Sequence, residues 1–305
     1  MDKHWNNYCT LSIVHFMAFP STMGGEGPLV ETVTKIAEDP FFGAIEIGWI
    51  KDPAVRAQVK KVVETAHLQV GHGGQSALLM QKLNLSNLDE AQRTRAVEQV
   101  YRSIDEAAEI GAKRLAFLSG ADPGDADRPK GLAALVKSVK QACAYGKEKG
   151  VALTCETFDR TVDKKALIGP SDLAAEFCQT IRQDFADFGL MYDLSHMPLL
   201  NESSEYALTQ LKDYLVHIHI GNCVLDPQLP GYGDMHPRFG WPGGINDVPQ
   251  LTEFIRTLFR VGYLSENKAV RPWIGFEVKP QTPDELPTLV IANAKRVWQD
   301  AWSRV

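Results

Sequence analysis

Apolar and polar positions along the chain follow two alternating patterns. Short apolar, β-branched runs are separated by longer stretches in which apolar residues return every three to four positions between charges. Four times a charged amphipathic stretch ends at a glycine and runs straight into an apolar segment. These junctions are EAAEIGAKRLAFL at Gly111, YGKEKGVALTCET at Gly150, FADFGLMYDLSH at Gly189 and LFRVGYL at Gly262. A glycine just past a helix end adopts the left-handed conformation that stops the helix. The run after it has the character of a strand buried on both faces. Helix, glycine, strand, repeated, is the return half of a βαβ unit.

The pattern predicts strands over 9–18, 43–49, 68–72, 114–118, 151–156, 189–194, 215–220 and 273–278. It predicts helices over 28–38, 53–66, 89–110, 130–148, 171–183, 203–212, 247–260 and 284–302. Within 89–110, Ala96, Val97, Val100, Ile104, Ala107, Ala108 and Ile110 recur near the helical period, as in a helix covering a sheet. Pro53 and Pro170 stand at helix starts, with Ser171 and Asp172 as capping groups. Eight strands alternating with eight helices predict an α/β fold, a single (β/α)8 TIM barrel spanning residues 1–305 as one domain. A doubly wound open sheet is the alternative, but no GxGxxG follows the first strand. The one long irregular segment, 222–247, follows the seventh strand and is rich in Pro and Gly, which marks an extended functional loop.

Composition acts mainly by exclusion. The 305 residues carry 32 Lys and Arg against 38 Asp and Glu, a net charge of −6 with no basic run, so no nucleic-acid partner is expected. The apolar stretch Leu11–Pro20 is about half the roughly 20 residues a membrane span needs, and it contains His15. No membrane association and no signal peptide are expected. Five cysteines (Cys9, Cys143, Cys155, Cys178 and Cys223) without a CxxC pair read as reduced thiols of a cytoplasmic protein.

In a barrel, reactive groups stand at the C-terminal ends of the strands. Those ends carry Glu156, Asp193, His219 and Glu277 on the last four strands in order. A single acid at a strand end is ordinarily a salt-bridge partner or a cap. Three carboxylates converging with an imidazole would force some of the acids to protonate unless a divalent cation neutralises them. Oxygen ligands with one His suit Mn²⁺, Mg²⁺ or Co²⁺ better than a thiolate-bound Zn²⁺. His217 and His219 are two apart and share a face, and His219, nearer the strand end, is the better ligand. His217 reads as a hydrogen-bonded core histidine. His72 in GHGGQ, His196 in DLSH, and His236 and Arg238 in MHPRFG are further polar candidates, although each alone reads as a solvated loop residue. Glu46, flanked by apolar residues in AIEIGW, needs a buried partner. His15 and His67 read as packing residues.

GAIEIGW, CET, YDLSH, VHIHIGN and FEVKP, in this order, resemble the second, fifth, sixth, seventh and eighth strands of xylose-isomerase-like TIM barrels. That superfamily includes ketose 3-epimerases, sugar isomerases, hydroxypyruvate isomerases, inosose dehydratases and apurinic endonucleases. The resemblance implies one divalent metal, Mn²⁺ foremost, on Glu156, Asp193, His219 and Glu277. It implies that the two glutamates exchange protons with a keto-sugar and that His196 contacts it. Glu46 and Arg238 are the candidate substrate-binding residues. Two departures separate the chain from the ketose epimerases: Val162 replaces a substrate-facing Glu, and Leu225 replaces an Arg, leaving Arg238 as a displaced substitute. The net charge argues against the endonuclease branch.

The loop GDMHPRFGWPGGIND resembles the catalytic subunits of bacterial C-glycoside deglycosidases. These cleave the bond between sugar and aromatic ring in 3-oxo-C-glucosides and work with a small β-rich partner subunit. This resemblance implies removal of the C2 proton by Glu156 or Glu277, with His72, His196 or His236 protonating or orienting the aglycone. It also implies an oligomer containing that partner. A sugar isomerase or ketose epimerase using the same metal is the first alternative, and a non-catalytic sugar-binding subunit the second.

Overall fold

All eight apolar runs become parallel strands: β1 (Thr10–Ile13), β2 (Ala44–Ile47), β3 (Gln69–Gly73), β4 (Arg114–Leu118), β5 (Ala152–Glu156), β6 (Gly189–Asp193), β7 (Leu215–Ile220) and β8 (Trp273–Phe276). The computed structural model describes residues 3–266 and 268–305. The strands follow the order β1-β8-β7-β6-β5-β4-β3-β2, and a parallel bridge between Val14 and Glu46 joins β1 to β2. The sheet thereby closes into a single barrel with no free edge.

Eleven helices surround it among the described residues: α1 (His15–Ala18), α2 (Leu29–Ala37), α3 (Pro53–Thr65), α4 (Gln75–Met80), α5 (Glu90–Ile110), α6 (Arg128–Lys149), α7 (Ser171–Arg182), α8 (His196–Leu199), α9 (Ser204–Leu211), α10 (Val248–Arg260) and α11 (Pro287–Ser303). Their starts follow from local chemistry. Asp52 accepts from the Ala54 N–H ahead of Pro53, Asp89 accepts from the Gln92 N–H, and Asp247 with Gln250 forms a reciprocal capping box. Gly111 and Gly150 end α5 and α6 with φ of 88° and 70°.

Four local expectations are corrected. Gly189 caps no helix: α7 ends at Arg182, and Gly189 opens β6, where a side chain would collide with Val216 of β7. The run 9–18 is strand only to Ile13, because the barrel wall ends there and the chain turns into α1. Ser171 does not cap α7. Its N–H and hydroxyl bond Glu202 at 2.9 and 2.6 Å. His67 is exposed in a left-handed turn (φ 55°) after α3, not packed.

Strand alternation sorts the side chains into two environments. Leu11, Ile13, Ile45, Ile274 and Phe276 are buried towards the helices, where Phe276 meets Phe42 and Trp298 edge-on. Ser12, Glu46, His217 and His219 point into the barrel and bond one another. Register sets Asp193 beside His219 and His219 beside Gly275. No described helix is long and apolar enough to cross a membrane.

Candidate metal centre and active site

The C-terminal ends of β5 to β8 bring Glu156, Asp193, His219 and Glu277 together. One ligand atom from each lies within 4.8 Å of the others, and all four residues are buried. His219 organises the group. Its Nδ1 stands 2.8 Å from Glu277 Oε2, 3.5 Å from Glu156 Oε1 and 3.9 Å from Asp193 Oδ2. On the opposite side its Nε2 lies 2.8 Å from Glu46 Oε2. Gly275 makes room for this ring, since a Cβ there would meet His219 Cδ2 at 2.8 Å. Glu46 is otherwise satisfied by the Ser12 hydroxyl at 2.7 Å and His217 Nε2 at 3.0 Å. A carboxylate behind a ligating imidazole fixes its tautomer and orientation.

Several oxygens in this group are left over. Glu156 Oε2 accepts from Gln75 Nε2 at 2.7 Å, but buried Glu156 Oε1 has no hydrogen-bond partner. Asp193 Oδ1 accepts from the Ser195 N–H at 2.5 Å, while buried Asp193 Oδ2 has none. Burial pushes the Asp193 carboxyl up to about 6 despite His196 and His236 nearby. Burial also works against ionised Glu277, but His236 and His219 outweigh it and hold that group down at about 2. The His219 ring is raised well above its ordinary value, because Glu46 and Glu277 overcome the cost of burying its charge. Orphaned carboxylate oxygens facing one imidazole nitrogen are what a divalent cation with oxygen and single-nitrogen ligands satisfies. The donor set therefore fits such a cation.

A second group adjoins the first and shares Asp193. The potential ligand atoms of Asp193, His196 and His236 also lie within 4.8 Å of one another. Buried Asp234 ties the two histidines together, with Oδ1 3.1 Å from His196 Nε2 and 2.8 Å from His236 Nε2. His196 Nδ1 faces the Thr157 carbonyl at 2.7 Å, while its Nε2 stands at ion-pair distance from Asp234 without a hydrogen-bond partner. Lys164 completes the arrangement. Asp159 accepts three successive backbone N–H groups from Val162, Asp163 and Lys164, and the resulting turn sets Lys164 Nζ 3.1 Å from Asp234 Oδ2. Burial opposes charge on His196 and His236, but Asp234 outweighs it and raises them to about 10 and about 9. The same partners hold Asp234 well below the usual carboxylate range against its burial.

His236 has a left-handed backbone (φ 51°), an uncommon conformation for a residue with a side chain. Two bonds from the segment after β8 hold it there. The Lys279 N–H donates to the His236 carbonyl at 2.7 Å, and Gln281 Nε2 donates to the Met235 carbonyl at 2.7 Å.

The cavity above these groups measures about 220 Å³. Its polar floor includes Glu46, Glu156, His219, Glu277, Asp234 and His236. Phe16, Met17, Met23, Leu79, Met80 and Phe158 line its apolar side, and Leu79 and Met80 are exposed at the rim.

The structure thus gathers Glu46, Glu156, Asp193, His196, His219, His236 and Glu277 and leaves out two candidates. His72 lies between Gly71 and Gly73, whose missing side chains would point into the barrel. Alternation therefore turns His72 outwards, and its Nε2 is 3.6 Å from Glu106 of α5. Arg238 is occupied at the loop edge. It bonds Glu285 and the Gly240 carbonyl, each at 3.1 Å, and its guanidinium lies 5.6 Å from the Trp241 ring. Asp234, Lys164 and Gln75 were not singled out in the sequence. Only the DMH spacing of Asp234 to His236 carried a signal.

The model of the xylose isomerase-like TIM barrel family matches residues 37–295. No curated protein sequence matches the chain. Among solved structures, an L-ribulose 3-epimerase is similar with a TM-score of 0.73 at 17% identity, over 97% of this chain and 95% of that one. A D-psicose 3-epimerase determined with D-fructose has a TM-score of 0.69 at 15% identity, over 96% and 97% of the two chains. The 3-keto-D-glucoside 4-epimerase of E. coli has a TM-score of 0.60 at 16% identity, over 92% and 95%. At these identities the structures share the fold, while the family model covers most of the chain: this protein belongs to the xylose isomerase-like TIM barrel family.

Proposed function

We propose that this protein is a metal-dependent enzyme that enolises a keto-sugar and cleaves the carbon–carbon bond of a 3-oxo-C-glucoside. The observation that carries this reading is the two-sided cavity. A cation-fitting carboxylate and imidazole floor faces a wall of Phe16, Met17, Met23 and Phe158 that opens at Leu79 and Met80. A space of about 220 Å³ suits one sugar ring, so an attached aromatic group would lie along the apolar rim. The similar L-ribulose 3-epimerase and 3-keto-D-glucoside 4-epimerase are named for keto-sugars, which supports the coarser half of the proposal.

Glu156, Asp193, His219 and Glu277 would hold the cation, Mn²⁺ in preference to Mg²⁺ or Co²⁺. When bound, it would act as a Lewis acid that polarises the sugar carbonyl and stabilises the developing enolate. Glu156 Oε1, which lacks a hydrogen-bond partner, and Glu277 are the bases proposed to take the C2 proton. The electron pair of that C–H bond forms the new C1–C2 double bond as the C1–aryl bond breaks. The aryl carbon then takes a proton, giving an unsaturated keto-sugar and the free aglycone with no net oxidation. Of the imidazoles, His236 lines the cavity and His196 does not. His236 Nε2 lies 3.7 Å from Glu277 Oε1, where it can pass a proton between that carboxylate and the aglycone. His196, held through Nδ1 by the Thr157 carbonyl, would orient Asp234. Asp234 and Lys164 are then positioning residues.

Epimerisation of a simple ketose is the second reading, favoured by the same four-residue set. Incubation of metal-loaded protein in D₂O with a 3-oxo-C-glucoside and with free ketoses, each with and without a small β-rich partner, separates the two. Aglycone release is expected. Deuterium exchange into a ketose without bond cleavage would replace the deglycosidase by the epimerase. Full turnover after chelation would overturn both, and a non-catalytic sugar-binding subunit would show neither.

A further inference from the structure

The opposite end of the barrel is hollow. A cavity of about 400 Å³ opens at the N-terminal mouth and runs inwards to Glu46 and His217, beneath the candidate metal centre. Barrel interiors are ordinarily filled by layers of branched side chains. Here Gly71, Ala116 and Thr154 line the lumen instead, and a Cβ at Gly71 would press on the Trp273 ring at 3.2 Å. The walls are apolar, formed by Ala116, Met191, Val216 and Trp273.

The rim is cationic. Lys113, Arg114 and Arg271 line it, and none has a carboxylate within 4.0 Å among the described residues. Arg114 Nη1 bonds only neutral oxygens, the Thr154 hydroxyl at 3.0 Å and the Leu153 and Asp187 carbonyls at 3.3 Å. Arg271 donates to the Asn6 carbonyl at 2.6 Å. The one acid reaching this cavity is Glu46, and both of its oxygens are already bonded, to Ser12, His217 and His219. The Trp273 indole N–H is used by Gln69 at 3.2 Å, which leaves its ring as a wall.

We propose that the N-terminal mouth is a second ligand site, for a small monoanion with a flat apolar body, such as an aromatic carboxylate. The apolar body would enter the lumen against Trp273 and the anionic group would stay at the rim with Arg114 and Arg271, where charge-assisted bonds are strongest. This site is independent of the keto-sugar reading, and Glu46 forms the partition between the two cavities.

The test is titration of the full chain, metal-stripped so that no carboxylate can bind a cation, with benzoate and with neutral benzamide, followed by ligand-observed NMR and calorimetry. Saturable benzoate binding is expected, with benzamide at least about tenfold weaker. Arg271→Met and Lys113→Met, both at exposed positions, should each weaken benzoate several-fold. Ala116→Leu should abolish it by filling the lumen, with thermal unfolding confirming that the variant is folded. No saturable binding, equal binding of benzamide, or unchanged binding by the two rim variants would overturn the proposal.

Discussion

Glu46 and Glu156 are both glutamates inside the same barrel, 5% and 2% exposed, yet their surroundings differ in kind. Every oxygen of Glu46 has a partner, from Ser12, His217 and His219. Glu156 has one oxygen held by Gln75 and the other left without a partner beside Asp193 Oδ2, which also lacks one. Buried carboxylates are stable when hydrogen-bonded or paired and costly otherwise. The contrast teaches that burial alone does not mark a functional acid. Glu46 is fully paired behind His219, whereas Glu156 and Asp193 each keep an oxygen without a hydrogen-bond partner, as the proposed cation site requires. The imidazoles repeat the lesson. The His15 ring has Thr32 at 2.8 Å and Phe19 beside it, and burial pushes it down to about 3, whereas Asp234 lifts His196 to about 10.

The largest expected effect comes from the unfinished side of this contrast. Glu156→Gln and Glu277→Gln should each lower turnover of the keto-sugar by about 10²–10⁴-fold, because each removes a proton acceptor from the site. Unaltered kcat in both variants would remove the glutamates from the mechanism. Saturating the protein with Mn²⁺ at 100 times its Kd should stabilise it by about 2.7 kcal/mol, seen as a raised Tm. The same addition to Asp193→Asn should leave Tm nearly unmoved.

A smaller effect is expected from the finished side. Glu46→Gln should weaken Mn²⁺ by about 10–100-fold in competition with a chelator, as loss of a carboxylate behind a ligating imidazole does. Affinity unchanged in that variant would break the distinction between ligand and support. A further effect is the pH slope from His15. Its folded pKa is depressed, so the unfolded chain binds its proton first as pH falls below about 6.5, and stability is lost down to about 3. The expected contribution is about 1.4 kcal/mol per pH unit inside that window. Denaturant titrations of wild type and His15→Gln between pH 6.5 and 4.5 measure it, and equal slopes would show that His15 does not titrate this way.

The barrel was legible because its signal is long and repeated: eight apolar runs separated by amphipathic helices leave little room for another closed sheet. The convergence of Glu156, Asp193, His219 and Glu277, the candidate ligands, was legible for the same reason, since they sit at the ends of strands that the pattern itself locates. What failed was local. Gly189 reads as a helix stop, but its lack of a side chain serves the close approach of Val216 across the β6–β7 pair. His72 reads as a mouth residue because glycines flank it, yet alternation on β3 turns those glycines inwards and the histidine outwards. The apolar run at 9–18 has no internal mark separating strand from helix. Asp234 carried only the weak DMH signal, for another reason. It lies in an irregular loop with no periodicity, and its importance comes from His196 and Lys164, distant in the chain and adjacent only in the fold.

Central to the proposed function is one cation shared by Glu156, Asp193, His219 and Glu277. The most direct measurement is the Mn²⁺ content of the metal-stripped chain after equilibration with Mn²⁺ and removal of free ion, compared between wild type and Asp193→Asn. Close to one ion retained per wild-type chain is expected, and its loss from the folded Asp193→Asn variant. Wild-type protein that retains no divalent ion, or an Asp193→Asn variant that binds it as tightly as wild type, would contradict the proposed cation site.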